Sequence, residues 1–374
     1  MNSGRPLKDL AASAVQKIAP YIPGKPIEEL EREYGVTNIV KLASNENPLG
    51  PGPLAVAAIQ KSAGEIGLYP DGNGFALKQA LANKHGCGID CITLGNGSND
   101  VLALLSEAYL TADTEAVYSQ YSFAVYPIVV QATGATAKVA PALPESAFMP
   151  LGHDLIAMRR LVGPLTRLVF VANPNNPTGT WVEAQPLKEF IASIPSTSLV
   201  VLDEAYVEYA TDVSFPDASK WLSEFPNLVV TRTFSKAFGL AGARVGYALS
   251  SPDVADMLNR VRQPFNVSSL ALSAACAALR DAEHLAKSVA MNRDGLRQLS
   301  IGFVAMGVRP YPSAGNFILI DCAKPAAPLY EALLRAGIIV RPVANYGLPN
   351  HLRITIGTRE QNERLLAALQ AALR

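Results

Sequence analysis

The stretch Leu199-Val-Val-Leu-Asp203-Glu-Ala-Tyr206 places an acid directly after four apolar residues. A short apolar run, rich in Val and Leu and followed by polar residues, is typical of a buried strand. Similar runs cover residues 114–118, 168–172 and 228–231, and helical patterns separate them. Strands that alternate with helices indicate βαβ units and a mostly parallel sheet flanked by helices. We therefore expect an α/β fold.

Three parts are expected along the chain. Residues 1–47 carry a helical pattern from Leu7 to Ile18 that stops at a run of Pro and Gly, which indicates an N-terminal arm. Residues 48–264 hold the strand and helix alternation and are expected to form the large domain. Residues 265–374 start with a long Ala-rich helix over about 268–306 and continue as short strands and helices, a pattern typical of a smaller α+β domain.

Composition excludes several classes of protein. Among 374 residues, 32 basic and 32 acidic side chains cancel, 49% of residues are hydrophobic and 17% are charged. Such a chain can bury a large core, and it has no basic excess for binding nucleic acid or a membrane surface. The four scattered cysteines are expected to be ordinary thiols, and we expect no metal site. Without an apolar leader or a long apolar run, the sequence predicts a cytoplasmic protein.

A glycine-containing turn, residues 95–100, joins a strand pattern to a helical one. Glycine lets a ligand approach the backbone, and the free N–H groups of a helix N-terminus bind anions. The turn therefore predicts an anion site, although a plain turn capped by Ser98 or Asn99 explains the same residues. Asp100 occupies the place of the third glycine of a dinucleotide-binding loop, which argues against a nicotinamide-dependent dehydrogenase.

Two segments place polar side chains directly after buried strands. In residues 173–179, two Asn-Pro steps force extended or turn backbone, so this loop leaves the sheet at the carboxyl end of a strand, where α/β sheets bind ligands. Asp203 ends the next strand, and a carboxylate there tends to be uncharged unless a cation faces it. Tyr206 could turn its phenol to the same cavity. A rigid turn and a helix N-cap are the alternatives.

The fourth segment, residues 231–247, contains Lys236 and Arg244 among glycines and apolar residues. A single lysine is usually solvated, but Lys236 follows a buried strand, and burial lowers the pKa of an amine and favours Schiff-base chemistry. Arg244 adds a clamp for an anion. Together the four segments would suit a ligand that has an aldehyde, a phosphate and a protonated ring nitrogen. Pyridoxal phosphate has all three groups.

At this point the sequence resembles the fold-type I pyridoxal-phosphate-dependent aminotransferases. Ordered motifs carry the resemblance along nearly the whole chain: Tyr21-Ile-Pro-Gly-Lys-Pro, Leu42-Ala-Ser-Asn-Glu-Asn-Pro-Leu-Gly, Tyr69-Pro-Asp-Gly-Asn-Gly, Ser235-Lys-Ala-Phe-Gly-Leu and Leu352-Arg-Ile-Thr-Ile-Gly-Thr. The resemblance implies a large domain with a mostly parallel sheet, a smaller α+β C-terminal domain and an N-terminal arm. It also implies a homodimer with shared active sites.

The resemblance implies a role for each motif residue around the cofactor. Lys236 would bond covalently to the cofactor and later move a proton between substrate and cofactor, while Asp203 would keep the pyridine nitrogen protonated. Tyr206 and Asn176 would hydrogen-bond the phenolic oxygen, and Tyr121 would stack on the ring. The phosphate would be held by hydroxyls, an amide and a guanidinium: Ser98, Asn99, Thr233, Ser235 and Arg244, with Tyr69 reaching it from the neighbouring subunit.

Substrate binding falls, by the same resemblance, to Arg353, Arg341 and Tyr21. A guanidinium clamps a carboxylate or a phosphate equally well. A surface salt bridge is the alternative for Arg341, and Phe265 would line either the neighbouring subunit's pocket or the core. The implied reaction moves an amino group between L-histidinol phosphate and 2-oxoglutarate. Aromatic amino acids as donors, decarboxylation of a phospho-amino acid, and cofactor binding without turnover are the alternatives.

Overall fold

The structure, a computed structural model, describes residues 6–211 and 214–374. The α-helices in these ranges are α1 Ile27–Tyr34, α2 Pro53–Ser62, α3 Phe75–His85, α4 Ser98–Tyr109, α5 Val125–Ala132, α6 Leu155–Leu161, α7 Ala184–Ser193, α8 Pro252–Val261, α9 Ser269–Ala278, α10 Ala282–Ala305, α11 Ala326–Arg335 and α12 Arg359–Leu373. The strands are β1 Val40–Lys41, β2 Ile92–Gly95, β3 Glu115–Ser119, β4 Thr136–Ala140, β5 Thr166–Ala172, β6 Leu199–Asp203, β7 Leu228–Thr233, β8 Gly246–Leu249, β9 Arg309–Pro310, β10 Phe317–Asp321, β11 Ile338–Ile339, β12 Arg341–Pro342 and β13 His351–Thr355.

A seven-stranded sheet, in the order β2-β8-β7-β6-β5-β3-β4, forms the centre of the molecule. Its strands run parallel except β8, which is antiparallel to both of its neighbours. Every residue of β6 and β7 is buried, because helices cover both faces of the sheet, and this burial explains the continuous apolar runs. The predicted α/β fold with a mostly parallel sheet flanked by helices is confirmed.

The ends of three neighbouring strands position the site. Ala172, the last residue of β5, lies opposite Asp203 of β6, and Asp203 lies opposite Thr231 of β7. Because the three strands are parallel, the side chains that follow them meet at one edge of the sheet. The loops after β5 and β7, which hold Asn176 and Lys236, start from that edge.

A second, four-stranded antiparallel sheet has the order β12-β13-β10-β9, and α10, α11 and α12 pack around it. Strand β1 of the arm pairs in parallel with β11, which attaches the end of the arm to this part of the chain. Helix α9 packs against α2 and adds four buried alanines to the core of the large sheet. The predicted boundaries after residues 47 and 264 stay predictions.

Two helical predictions are wrong in detail. The long helix over 268–306 is two helices, and the break precedes α10, where the Asp281 side chain caps the new helix by accepting from the His284 N–H. Alanine spacing continues across this break, so the pattern conceals it. The pattern from Leu7 to Ile18 forms two short 3-10 turns without buried side chains, while helix α1, which the sequence did not indicate, buries Leu30.

Among residues 6–211 and 214–374, no helix combines the length and the apolar composition that a membrane span requires.

A buried ion pair joins the ends of β6 and β7 and generates a stability prediction. Arg232 Nη2 lies 2.7 Å from Glu204 Oε2, and the two side chains are 7% and 0% exposed. Removal of one partner leaves the other charge buried and unpaired, which costs about 3–5 kcal/mol. We predict that Arg232→Met lowers the free energy of unfolding by about this amount in urea denaturation.

The matched control removes an arginine from an exposed pair. Arg260 Nη2 lies 2.8 Å from Asp256 Oδ2 on the surface of α8. Solvent screens such a pair, so Arg260→Met should change the free energy of unfolding by less than about 1 kcal/mol. Similar small changes in both variants would contradict the assignment of a structural role to the Arg232–Glu204 pair.

Candidate active site

A cavity of about 450 Å³ opens at the sheet edge where β5, β6 and β7 end. Ligands bind at this edge in α/β sheets. Most residues singled out from the sequence line the cavity: Tyr21, Ser98, Asn99, Asn176, Asp203, Tyr206, Thr233, Ser235, Lys236, Arg244, Arg341 and Arg353. Of the predicted set, Tyr69 and Tyr121 are not in the wall. The structure thus gathers residues from the arm, the large sheet and the small sheet around one space.

Lys236 presents a buried amine to the cavity. Its Nζ donates to the main-chain oxygen of Ser44 at 3.2 Å and lies 5.6 Å from the centre of the Tyr206 ring. Burial, helped by the positive charges of Arg353 and Arg244, lowers the pKa of the Lys236 amine to about 8. At pH 7 about a tenth of the amine is therefore neutral and nucleophilic, far more than for an exposed lysine.

Asp203 is a buried carboxyl group held by two hydroxyls. Its Oδ2 accepts from the Tyr126 hydroxyl at 2.9 Å and its Oδ1 from the Thr231 hydroxyl at 3.1 Å. Burial raises the pKa of Asp203, and these hydrogen bonds oppose the rise. No lysine or arginine of residues 6–211 and 214–374 forms an ion pair with it. The cation expected from the sequence would therefore come from a bound ligand, and a protonated pyridine nitrogen fits this position.

Tyr206 and Asn176 are joined by hydrogen bonds. The Tyr206 hydroxyl accepts from Asn176 Nδ2 at 3.3 Å and from Asn45 Nδ2 at 2.9 Å. Asn176 Oδ1 accepts from Arg353 Nη1 at 2.6 Å. Burial raises the pKa of Tyr206 to about 12, so the phenol keeps its proton at neutral pH.

The part of the cavity wall beside the start of α4 suits an anion. It holds five residues predicted to bind phosphate: Ser98, Asn99, Thr233, Ser235 and Arg244. Helix α4 begins at Ser98, so Ser98 and Asn99 lie in its first turn rather than capping it. Gly97 has a φ of +85°, and a Cβ there would overlap Arg244 Nη2, so only glycine lets the guanidinium approach the helix start. Free backbone N–H groups beside a guanidinium suit a phosphate.

The small sheet adds two arginines on facing strands to the cavity wall. Arg341 of β12 lies directly opposite Arg353 of β13, and both side chains are buried. Arg353 Nη2 donates to the Ala43 oxygen and Arg341 Nη2 to the Ile22 oxygen, each at 2.7 Å, and the Arg341 guanidinium lies 5.6 Å from the Tyr21 ring centre. Arg341 is therefore not a surface salt bridge. In the described ranges the buried Nε of Arg353 has no partner, which leaves a donor for an anionic ligand.

Two predicted aromatic residues lie elsewhere. The Tyr121 main-chain oxygen accepts from Asn175 Nδ2 at 2.6 Å, and it is Phe123, two residues later, that lines the cavity. Tyr69 is 82% exposed and stacks on Phe265 with 4.7 Å between ring centres. Neither Tyr69 nor Phe265 reaches the cavity of its own chain, and Phe265 is half-exposed rather than part of the core.

Sequence reasoning assigned no role to four residues that the structure places at the site. Asn45 contacts Tyr206, Tyr126 contacts Asp203, Phe123 lines the cavity, and Thr355 contacts Asn45. Asn45 lies inside a motif that carries the resemblance, but its spacing implies no chemistry. Tyr126 belongs to an apolar helical pattern that indicates only burial. The part of the chain that the structure describes holds no cluster of His, Cys, Asp or Glu suited to a metal.

Residues 37–369 match the family described as aminotransferase class I and II. The chain belongs to this family and is an aminotransferase. It is 57% identical over 366 residues to histidinol-phosphate aminotransferase 2 of Pseudomonas fluorescens strain Pf-5, with 97% of each chain covered. It is 56% identical to histidinol-phosphate aminotransferase 2 of Pseudomonas aeruginosa, with 97% of this chain and 98% of that one covered.

A similar solved structure is that of histidinol-phosphate aminotransferase from Sinorhizobium meliloti in complex with pyridoxal-5'-phosphate. It is 32% identical to this chain, superposes with a TM-score of 0.89, and each chain covers 97% of the other. The fold and the order of elements are thus those of this enzyme class along nearly the whole length.

The environment of Lys236 predicts an unusual pH dependence of its reactivity. In the cofactor-free protein, acetylation of Lys236 should reach half of its maximum near pH 8, the value to which its pKa is lowered. Lys287 is a control, because it is exposed and its ion pair with Glu283 raises its pKa. Peptide mass spectrometry after brief acetylation at a series of pH values measures both. If acetylation of Lys236 and of Lys287 depends on pH in the same way, the claim that burial lowers the pKa of Lys236 is contradicted.

Proposed function

We propose that this aminotransferase transfers the amino group of L-histidinol phosphate to 2-oxoglutarate, with pyridoxal phosphate as cofactor. The products are imidazole acetol phosphate and L-glutamate. The observation that carries the proposal is that one cavity is lined by the pKa-lowered amine of Lys236 and by two cationic groups on different elements. These are Arg244, beside the start of α4, and the facing pair Arg341 and Arg353 on the small sheet. The names of the relatives support the choice of amino donor.

The residues present fit the cofactor. The anion site at the start of α4 would hold its phosphate, with Arg244 as the charged partner. Asp203 would pair with the ring nitrogen, because this carboxyl group lines the cavity and two hydroxyls fix its orientation. Tyr206 and Asn176 would hydrogen-bond the phenolic oxygen, and Phe123 would cover the ring face in place of Tyr121. When bound, pyridoxal phosphate supplies an aldehyde that joins to amines and a ring that withdraws electrons from the substrate carbon.

The chain's own residues would move the proton and orient the substrates. Lys236 Nζ would accept the proton of the amino-bearing substrate carbon and return it, and a pKa of about 8 suits both directions near neutral pH. Arg353 and Arg341 would bind the phosphate of the amino donor, and then a carboxylate of 2-oxoglutarate. Both substrates carry an anion for the same pair, so one site would serve both half-reactions.

The proposal includes a homodimer with shared active sites, with small molecules as the other partners. Tyr69 would reach the cofactor phosphate of the neighbouring subunit, and its exposure together with its stacking on Phe265 supports an outward role. We propose a cytoplasmic location with no nucleic-acid or membrane partner, as the composition predicts.

A half-reaction tests the amino donor. We load the purified protein with pyridoxal phosphate, add one donor without a keto acid, and follow the loss of the bound cofactor's visible absorbance. The phosphate has one more acceptor oxygen than the carboxylate of L-phenylalanine and can use it toward the second arginine of the pair. One additional hydrogen bond to a charged group contributes about 1.5–3 kcal/mol, so half-conversion should need roughly ten- to hundredfold less L-histidinol phosphate than L-phenylalanine. Addition of 2-oxoglutarate should restore the absorbance.

Each other outcome identifies a different function. If the two donors give half-conversion at the same concentration, the result favours an aromatic amino acid aminotransferase. Release of carbon dioxide from a phospho-amino acid would indicate a decarboxylase, and bound cofactor without any conversion would indicate a binding protein. As a control, Lys236→Ala should lower turnover by at least about 10²-fold, because it removes the group that moves the proton.

Mixing of two inactive variants tests the shared site. Tyr69→Ala and Lys236→Ala should each have low activity as separate proteins. In a hybrid dimer, one site combines the intact Lys236 of one chain with the intact Tyr69 of the other, so co-expressed variants should regain activity. Tyr21→Ala mixed with Lys236→Ala is the control, because Tyr21 lines the cavity of its own chain and no hybrid site would be complete. Absence of recovery in the first mixture would refute the role of Tyr69.

A further inference from the structure

Asn45 has an unfavourable backbone conformation at the edge of the active site. It is 1% exposed, lines the cavity and has a φ of 56°, in the left-handed region. Asparagine tolerates this region better than most residues, but glycine adopts it with less strain. A buried non-glycine residue that keeps such a conformation at a functional site indicates that its side chain has a task.

The Asn45 side chain connects Tyr206 to the small sheet. Its Nδ2 donates to the Tyr206 hydroxyl at 2.9 Å, and its Oδ1 accepts from the Thr355 hydroxyl at 3.2 Å. The Asn45 main-chain N–H donates to Thr355 Oγ1 at 2.9 Å, and its main-chain oxygen accepts from Asn316 Nδ2 at 3.0 Å. Thr355 lies two residues beyond Arg353 on β13. Both sides of the Asn45 amide are therefore occupied, and its orientation is determined.

This arrangement restricts the Tyr206 hydroxyl. A phenolic oxygen can accept two hydrogen bonds and donate one. Asn45 Nδ2 and Asn176 Nδ2 both donate to it, so both acceptor positions are filled. Its single hydrogen is left to donate, and the ring lines the cavity.

We propose that Asn45 is a positioning residue, whose amide fills one acceptor position of Tyr206 so that the hydroxyl donates its proton to a cofactor oxygen in the cavity. The inference rests on the proposed function, in which that oxygen is the phenolic oxygen of pyridoxal phosphate. Donation to this oxygen stabilises its ionised form, and a hydroxyl that itself accepts a hydrogen bond is a stronger donor. Loss of the Asn45 amide should therefore raise the pKa at which the visible absorbance of the bound cofactor changes.

Two substitutions distinguish the effect of the Asn45 side-chain amide from the effect of the Asn45 backbone. Asn45→Gly suits the left-handed conformation and keeps both main-chain hydrogen bonds, but it removes the amide. Asn45→Asp keeps an acceptor for Thr355 and places a second acceptor beside Tyr206, so the phenol would donate to the carboxylate instead of into the cavity. Asn38→Gly is the matched control, because Asn38 also has a φ of 56° but is exposed and lies outside the cavity.

The readout is the pH titration of the visible absorbance of the holoenzyme. Asn45→Gly should raise the pKa of this transition by about half a unit, as expected for a weakened hydrogen bond, and Asn45→Asp should raise it further. Asn38→Gly should titrate like the unmodified holoenzyme. Asn45→Gly should also lower kcat about 2- to 10-fold and change KM for the amino donor less. In a Tyr206→Phe background, it should cause no additional pKa shift.

Opposite results separate the inference from the function on which it rests. If Asn45→Gly titrates like Asn38→Gly, or if its shift persists without the Tyr206 hydroxyl, the inference is overturned while transamination by the unmodified holoenzyme still supports the proposed function. If the unmodified protein takes up no pyridoxal phosphate, the proposed function fails, and the inference fails with it.

Discussion

A carboxyl group and an amine are buried at one edge of an apolar sheet, and the surrounding structure has to offset the free-energy cost of burying them. Burial of an ionisable group without partners costs several kcal/mol, so each group needs donors, acceptors or opposite charge. Asp203 has the hydroxyls of Tyr126 and Thr231, and Lys236 has the main-chain oxygen of Ser44. This compensation is partial. Asp203 has a raised pKa and Lys236 a lowered one, which leaves the carboxyl group able to pair with a cationic ligand and the amine able to react as a nucleophile.

Behind this edge, a buried ion pair holds two strand ends together. Arg232 follows Thr231 on β7, Glu204 follows Asp203 directly after the end of β6, and their side chains are buried and paired. The strand ends are therefore tied together by groups that have no part in the chemistry.

The site is complete only where three parts of the chain meet. The arm contributes Ser44 and Asn45, the large sheet contributes Asp203 and the Lys236 loop, and the small sheet contributes Arg341 and Arg353. Arg353 donates both to Asn176 of the large part and to the Ala43 oxygen of the arm, so one guanidinium holds the three together. A ligand that binds this arginine acts on all three parts at once. Such coupling suits a site that must accept two different anionic substrates in turn.

The sequence by itself determined the parallel sheet, the polar residues at its strand ends and the enzyme class, because these depend on local periodicity and on motifs whose residues are close in the chain. Asp203 and Lys236 each follow an apolar run, and that spacing alone places them at a sheet edge. Only the tertiary structure decided that Phe123 rather than Tyr121 faces the cavity, that Arg341 lies opposite Arg353, and that Asn45 meets Tyr206 across 161 residues of chain. Periodicity describes which face of one element is buried, whereas these contacts depend on how distant elements pack, and no local pattern contains that information.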